Sequence, residues 1–408
     1  MKRYWKLVSI TTAIVLILGL YYGIIVKSEA KPKFIIETVS GDKDAVKELL
    51  MYGDYNEGAA FGDSFELTVD DMTYYSNRSY VKRMIDYNVD KEIKRLQGKY
   101  RGFIRGKWLY VNSFNENDEL VAYVQITPTD RENHKHKMEV EWLNKATEKK
   151  EKFEIEVPNP DNAFHIGVEK VQMVDGKVKV ITRLDGNFTE FRMFSLDLEN
   201  KSIVDDERIL RFEEQGENIF YETIVKTDNR IQNPGKYILF LHVVNKHVPV
   251  ENDYTYMEET VKRELYIYNV ENGETEEVEL PVQVEESLDF EYYPFNDKIS
   301  LFNNLIYFST VTEKGIEVFE YNIETKKSVS KQTFDLNHDE RLKEEFSPII
   351  LMNEQKIYFA NRLKNAKTNS NVYVADLESG DILYEGEIRL DHPEDVKEYE
   401  LYIHHLEL

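Results

Sequence analysis

Cysteine is absent from the 408 residues. Its absence excludes disulfides, thiol catalysis, thiolate zinc sites and a lipid-carrying N-terminal cysteine. Positive charge is scarce: 52 Lys and Arg stand against 76 Asp and Glu, a formal net charge of −24. A nucleic-acid surface needs a basic stripe that displaces counterions, so a general polyanion binder is excluded and no nucleic acid is expected as a partner. The chain also lacks a G-x-S-x-G elbow, a P-loop, a G-x-G-x-x-G turn and an H-E-x-x-H helix. Enzyme status therefore stays open, with non-enzymatic function the leading reading, and the residues name no cofactor.

Apolar and aromatic material is plentiful. With 27 Tyr and 21 Phe, burial can offset the cost of ordering the chain, and a packed core is expected. Residues 7–26 read LVSITTAIVLILGLYYGIIV without a charge; as a helix they would rise about 30 Å, the thickness of a bilayer core. The sequence divides into a cytoplasmic tail (1–6), a transmembrane anchor (7–26), a linker (27–33) and an extracytoplasmic domain (34–408). Lys2, Arg3 and Lys6 precede the run, while Lys27, Lys31, Lys33 and Glu29 follow it, so the positive-inside bias is slight. Tyr21 and Tyr22 suit an interface. The alternative is a signal peptide cleaved after Ala30, since Ser28-Glu29-Ala30 has the small-x-small pattern, although the run exceeds a usual signal core. Residues 1–33 hold six Lys and Arg and one acid, which leaves 46 basic against 75 acidic residues beyond them, a formal −29. Anionic headgroups and polymers should repel such a domain at short range.

A repeat runs through that domain. Val372-Tyr373-Val374-Ala375-Asp376-Leu377-Glu378-Ser379-Gly380 is an alternating strand entering a turn. Similar strand-to-turn copies end at Asn269, Asn322 and Asp197, and weaker ones at Asn144 and Asn88. The six anchors are spaced 56, 53, 72, 53 and 54 residues apart. At each anchor a short carboxylate or amide can bond the backbone two residues on and let a following Gly, Asn or Lys take positive φ. Further strands are expected upstream, at Lys107–Val111, Lys177–Thr182, Lys236–Val243, Asn304–Phe308 and Lys356–Ala360. A unit of four short strands cannot bury both faces of its sheet alone, so units must stack.

The fold class is thus all-β: a six-bladed, alternatively seven-bladed, β-propeller with an N-terminal transmembrane helix. The strand ending Asp-x-x-Ser-Gly at Asp376–Gly380 resembles propeller repeats of extracytoplasmic bacterial proteins, over roughly residues 75–390 and at the level of fold. The quinone-dehydrogenase type carries a docking Trp in most repeats, whereas Trp5, Trp108 and Trp142 are the only tryptophans here, so no quinone is implied. A pair of β-sandwiches would explain the strands but not their period. Asp42–Tyr52 has helical spacing at Ala45, Val46, Leu49 and Leu50. Pairing of Phe34–Thr38 with Glu400–His404 would close a ring and leave no open edge.

The 19 extra residues of the long interval fall near 246–262, KHVPVENDYTYMEETVK. This segment is expected to be a loop that binds a partner through Tyr254, Tyr256, Glu258 and Glu259. His134, His136, His165, His338 and His392 map to loops on one face and supply the donor set for an alternative, a metal-dependent hydrolase or lactonase-like enzyme. Two acidic stretches, Asn115–Asp118 and Asp376–Asp381, lack a full calcium ligand series and are expected to be turns. The leading expectation is a membrane-anchored binding or sensing module for a protein or cell-envelope component. A regulatory subunit of a membrane signalling system is the further alternative.

Overall fold

The computed structural model describes residues 31–408 apart from 58–61, 80–89, 214–217, 228–230, 233–234, 250–255, 280–298, 313–314, 336–347, 354, 366–369 and 393–398. Nearer the N-terminus it describes 11–12, 14–17 and 19. The residues described between 7 and 26 are helical, and the rest of that apolar run lies outside the description. Among the described residues no helix is long and apolar enough to cross a membrane.

Six antiparallel sheets are built from the described residues. The first holds Phe114–Glu116, Leu120–Asp130, Lys135–Asn144 and Lys150–Glu156. Strands His165–Val174, Lys177–Asp185, Phe188–Asp197 and Ser202–Glu213 form the second, and Ile219–Lys226, Tyr237–Pro249, Tyr256–Asn269 and Thr275–Val278 the third. The fourth has Ile299–Phe302, Leu305–Thr312, Gly315–Asn322 and Lys327–Asp335. The fifth has Ile349–Asn353, Lys356–Ala360, Ser370–Asp376 and Ile382–Leu390, with Phe34–Gly41 at its edge. In the sixth the order is Leu363–Asn365, Glu400–Glu407, Leu50–Asn56, Asp63–Leu67, Met72–Tyr74.

Five of the six anchors fall where the period predicts. Asn144, Asp197, Asn269, Asn322 and Asp376 each end the third strand of a sheet. Each turns its side-chain oxygen onto the backbone N–H two residues on, at 2.9–3.1 Å. The residue four past each anchor takes positive φ: Glu148 at 55°, Lys201 at 54°, Gly273 at 77°, Lys326 at 56° and Gly380 at 78°. Glycine meets that requirement without a Cβ penalty, while the other three accept a small strain to keep the turn. Asn88 lies outside the described residues.

Contacts divide the chain into two compact units, residues 78–359 with 374–382 and 408, and residues 1–77 with 360–373 and 383–407. In the first unit the sheets pack face to face in series. Alternation along each strand sends neighbouring side chains to opposite faces. Thus Val178, Val180, Phe194 and Leu196 of the second sheet join Ala122, Val124, Met138 and Val140 of the first. The residues between them, Ile181, Phe191 and Met193, join Ile238, Phe240 and Tyr268 of the third. The third sheet's other face, through Leu239, Leu241 and Ile267, packs on Ile306, Phe308 and Phe319 of the fourth. A sheet apolar on both faces is the mark of serial stacking and is not what a two-sheet sandwich needs. Four-stranded antiparallel sheets packed face to face in this way are the arrangement of β-propeller blades.

In the second unit the chain ends are joined crosswise. Phe34–Gly41 pairs with Ile382–Leu390, Phe34 opposite Leu390, and Glu400–Glu407 pairs with Leu50–Asn56. The expected direct pairing of Phe34–Thr38 with Glu400–His404 is therefore replaced by two such pairings, although Phe34 still meets Tyr399 edge-on at 5.3 Å. Phe34 also packs on Tyr55, which packs on Tyr74.

Other local expectations are corrected. Only a single 3-10 turn, Lys43–Ala45, forms between Asp42 and Tyr52, capped by the Asp42 carboxylate. Strand Leu50–Asn56 follows because its alternating side chains fill one face of the sixth sheet. Lys107–Val111 is not a strand; it leads from two short helices, Lys91–Lys99 and Arg101–Ile104, into the first sheet. Asp90 caps the first of these at the Glu92 N–H, and Ile93 and Leu96 bury its apolar stripe.

Candidate functional site

Of the segment 246–262, the described residues 246–249 and 256–262 are strand, where a loop was expected. Its residues lengthen the hairpin of the third sheet to strands of 13 and 14 residues, with His247 opposite Glu258 and Pro249 opposite Tyr256. The β-branched and aromatic residues Val248, Tyr256, Thr260 and Val261 favour extension over an open loop. Tyr256, Glu258 and Glu259 are thus strand residues; Glu259 is exposed, and Tyr254 lies outside the described residues. Residues 251–298 hold 15 acids against three basic residues, half of the chain's formal charge.

The structure brings three of the predicted histidines to one end of the first two sheets. His134 sits in the turn before Lys135 with φ of 50°. Its carbonyl accepts from His136 Nδ1 at 3.1 Å and from Asn159 Nδ2 at 2.8 Å. Burial lowers the pKa of His136; the bond to the His134 carbonyl opposes this, and the imidazoles of His165 and His134 add to the lowering. His165 opens the second sheet opposite Asp185 and is exposed. His392 follows Asp391 and is exposed, while His338 lies outside the described residues. Among the described residues no three His, Asp or Glu are placed to hold a metal ion.

At the same end the ladder skips from Ile181–Lys170 to Thr182–Val168, leaving Glu169 as a bulge. Bulges re-aim side chains. Burial raises the Glu169 pKa, with the Arg183 charge opposing and Asp185 adding, and Arg183 itself bonds Asp185 at 2.9 Å. Nearby, buried Glu190 gathers Arg192, Arg208 and Arg211 at 3.1, 2.9 and 3.0 Å. Asp161 and Asp206 bind the outer sides of these arginines, and the Arg211 guanidinium lies 4.0 Å over the Phe188 ring.

The first sheet carries a second polar arrangement. Trp108 is 69% exposed, and Tyr110 is 49% exposed. The Trp108 backbone N–H donates to Tyr123 Oη at 3.1 Å, Tyr123 donates to Gln125 Oε1 at 2.7 Å, and Gln125 Nε2 donates to Glu139 at 3.1 Å. Lys107 pairs with Glu141 and lies over the rings of Phe103 and Tyr123, and Lys152 approaches Glu139. Burial pushes the Tyr123 pKa up to about 12, so its phenol stays a donor. Sequence reasoning missed this strip, because it becomes one surface only when strand Leu120–Asp130 pairs with Lys135–Asn144.

Glu116, within the stretch read as a turn, proves to be a buried anchor. Asn117 makes the turn, accepting from the Glu119 and Leu120 N–H groups. The Glu116 side chain is fully buried among Lys145 and Arg95 at 2.7 Å, Tyr100 at 2.8 Å, Gln232 at 3.0 Å and Lys99 at 3.3 Å. Burial alone would raise its pKa; the hydrogen bonds from Lys145, Tyr100, Gln232 and Arg95 outweigh that and hold it well below the carboxylate range.

His242 in the third sheet is buried, lies flat on Phe212 at 3.6 Å, and meets Thr223 Oγ1 at 3.0 Å. Burial pulls its pKa from 6.5 to about 4, against the attraction of Glu264 and with Lys262 adding to the shift. The unfolded chain therefore binds a proton below about pH 6.5 that the native state refuses until about pH 4. Stability is full above that window and falls as pH drops through it, by up to about 3 kcal/mol. In urea melts at pH 7 and pH 4.5, His242→Phe should lose less stability on acidification than the wild type; equal losses would refute this.

No family model matches the chain, and no curated protein does. Among solved structures it is similar to the β-propeller domain of the trilobed protease from Pyrococcus furiosus, described as having an open velcro topology. The identity is 11%, the TM-score 0.28, and 86% of this chain and 84% of that one are covered. TolB from Acinetobacter baumannii matches at 10% identity and TM-score 0.25, over 84% and 64% of the two chains. Pyrococcus horikoshii acylaminoacyl peptidase matches at 13% and 0.29 over 66% of this chain, which spans 44% of that one.

Proposed function

We propose that this chain is a single-pass membrane protein whose extracytoplasmic six-bladed β-propeller binds a protein or cell-envelope component. The uncharged run 7–26 carries the proposal. Its described helical residues Ile14, Val15, Leu16 and Ile17 are 52–65% exposed, so four successive directions around the helix present apolar side chains, as a lipid-facing helix requires. Six sheets, one for each blade of the proposed propeller, support the blade number, and the pairings of Phe34–Gly41 with Ile382–Leu390 and of Glu400–Glu407 with Leu50–Asn56 support closure by strands distant in sequence. A stack of this kind holds turns and strand faces rigidly, which suits recognition.

The test is fractionation of cells producing the chain with a C-terminal tag. The tagged chain should sediment with membranes, resist salt and alkaline carbonate, dissolve in detergent, and be cut by protease added to cells without an outer barrier. Recovery in the soluble fraction, or protection of the tag until the cells are lysed, would overturn the reading.

A further inference from the structure

We propose that the face of the first sheet beside Trp108 binds a neutral polysaccharide chain of the cell envelope. This rests on the placement of the domain outside the membrane proposed above. Trp108 is 69% exposed although its backbone is fixed by the bond to Tyr123. An aromatic face is electron-rich and attracts groups of partial positive charge, and the C–H face of a pyranose is such a group. Tyr110, two residues on and half exposed, offers another ring.

Sugar hydroxyls need paired donors and acceptors with fixed geometry. Gln125, Glu139 and Glu141 provide them, already tied to one another through Tyr123 and Lys107. Groups ordered before the ligand arrives lose little freedom on binding. The charges in the strip balance, Lys107 and Lys152 against Glu139 and Glu141, so it has no excess charge to attract an ionic polymer. An anionic chain would in addition meet the acidic domain. An apolar helix laid on the strip would strand its charges and amide away from water, which is costly. A neutral polyol avoids both penalties.

The full-length chain, held in a sugar-free detergent, should be titrated calorimetrically with two neutral probes, tetrameric β-1,4-linked N-acetylglucosamine and cellotetraose, and with polyglycerol phosphate. Saturable heat from at least one neutral probe is expected, with Trp108→Ala weakening it at least about tenfold and Trp108→Tyr restoring part of it. Glu139→Gln should weaken binding while leaving the melting temperature in place. The inference is overturned if neither neutral probe binds up to about 10 mM, if Trp108→Ala binds as the wild type does, or if only polyglycerol phosphate binds. Membrane recovery of a chain that binds no sugar would remove this inference and leave the anchored-module reading intact.

Discussion

A chain ending at Tyr399 is expected to lose its native fold. Strand Glu400–Glu407 lies between Leu50–Asn56 and Leu363–Asn365, so its removal opens the ladder of both. It also removes Leu401, Ile403 and Leu406, which are 0–3% exposed. At about 1.5–3 kcal/mol for each buried aliphatic side chain, the lost burial alone approaches about 5–9 kcal/mol. Total domain stability is commonly about 5–15 kcal/mol. The measurement is the thermal transition followed by near-ultraviolet dichroism, which should vanish or broaden in the truncated chain and return when a synthetic peptide of residues 400–408 is added. A truncated chain melting sharply at the wild-type temperature would show that the last strand is dispensable.

Glu116→Gln is expected to cost about 3–5 kcal/mol, since removing one member of a buried ionic cluster leaves the others uncompensated. The amide keeps the shape but meets Lys145 and Arg95 without a charge, and those two cations then repel each other. Because the native carboxyl titrates well below its ordinary 4.5, its contribution is complete above that value and is lost as pH falls toward the native one. Wild type and variant should therefore differ most in urea melts near neutral pH and converge in strong acid. A difference under about 1 kcal/mol at pH 7 would mean that the cluster merely tolerates the charge.

The repeat was legible because its signal is local. An Asp or Asn at the end of an alternating strand fixes the turn by a bond two residues on, and five sheets carry that device whatever surrounds them. Strand Lys356–Ala360 was likewise readable to the residue. Crosswise joining of the ends was legible only in outline. Which strand Phe34–Gly41 meets depends on partners some 350 residues away, and its alternation is equally compatible with either neighbour. The stretch 246–262 was read as a loop because the extra residues of the long interval fall there, whereas pairing across the hairpin places residues 246–249 and 256–262 in a ladder. Helix Lys91–Lys99 was missed for a similar reason: only Ile93 and Leu96 mark its buried stripe, too few to show a period before the Asp90 cap is seen.

The candidate surfaces were the least readable part. Of the five histidines read as sharing one face, His134, His136 and His165 lie at one end of the first two sheets. The bulge that turns Glu169 and the polar strip beside Trp108 arise from register, which no single strand encodes.

The crosswise joining of the ends has a consequence for biogenesis. Phe34–Gly41 and Leu50–Asn56 leave the ribosome more than 300 residues before their partners Ile382–Leu390 and Glu400–Glu407. Until those partners are made, Phe34–Gly41 and Leu50–Asn56 wait with bare edges. Synthesis of Glu400–Glu407 therefore acts as a gate, and products terminated before it keep an open edge at Leu50–Asn56 that quality-control proteases can recognise.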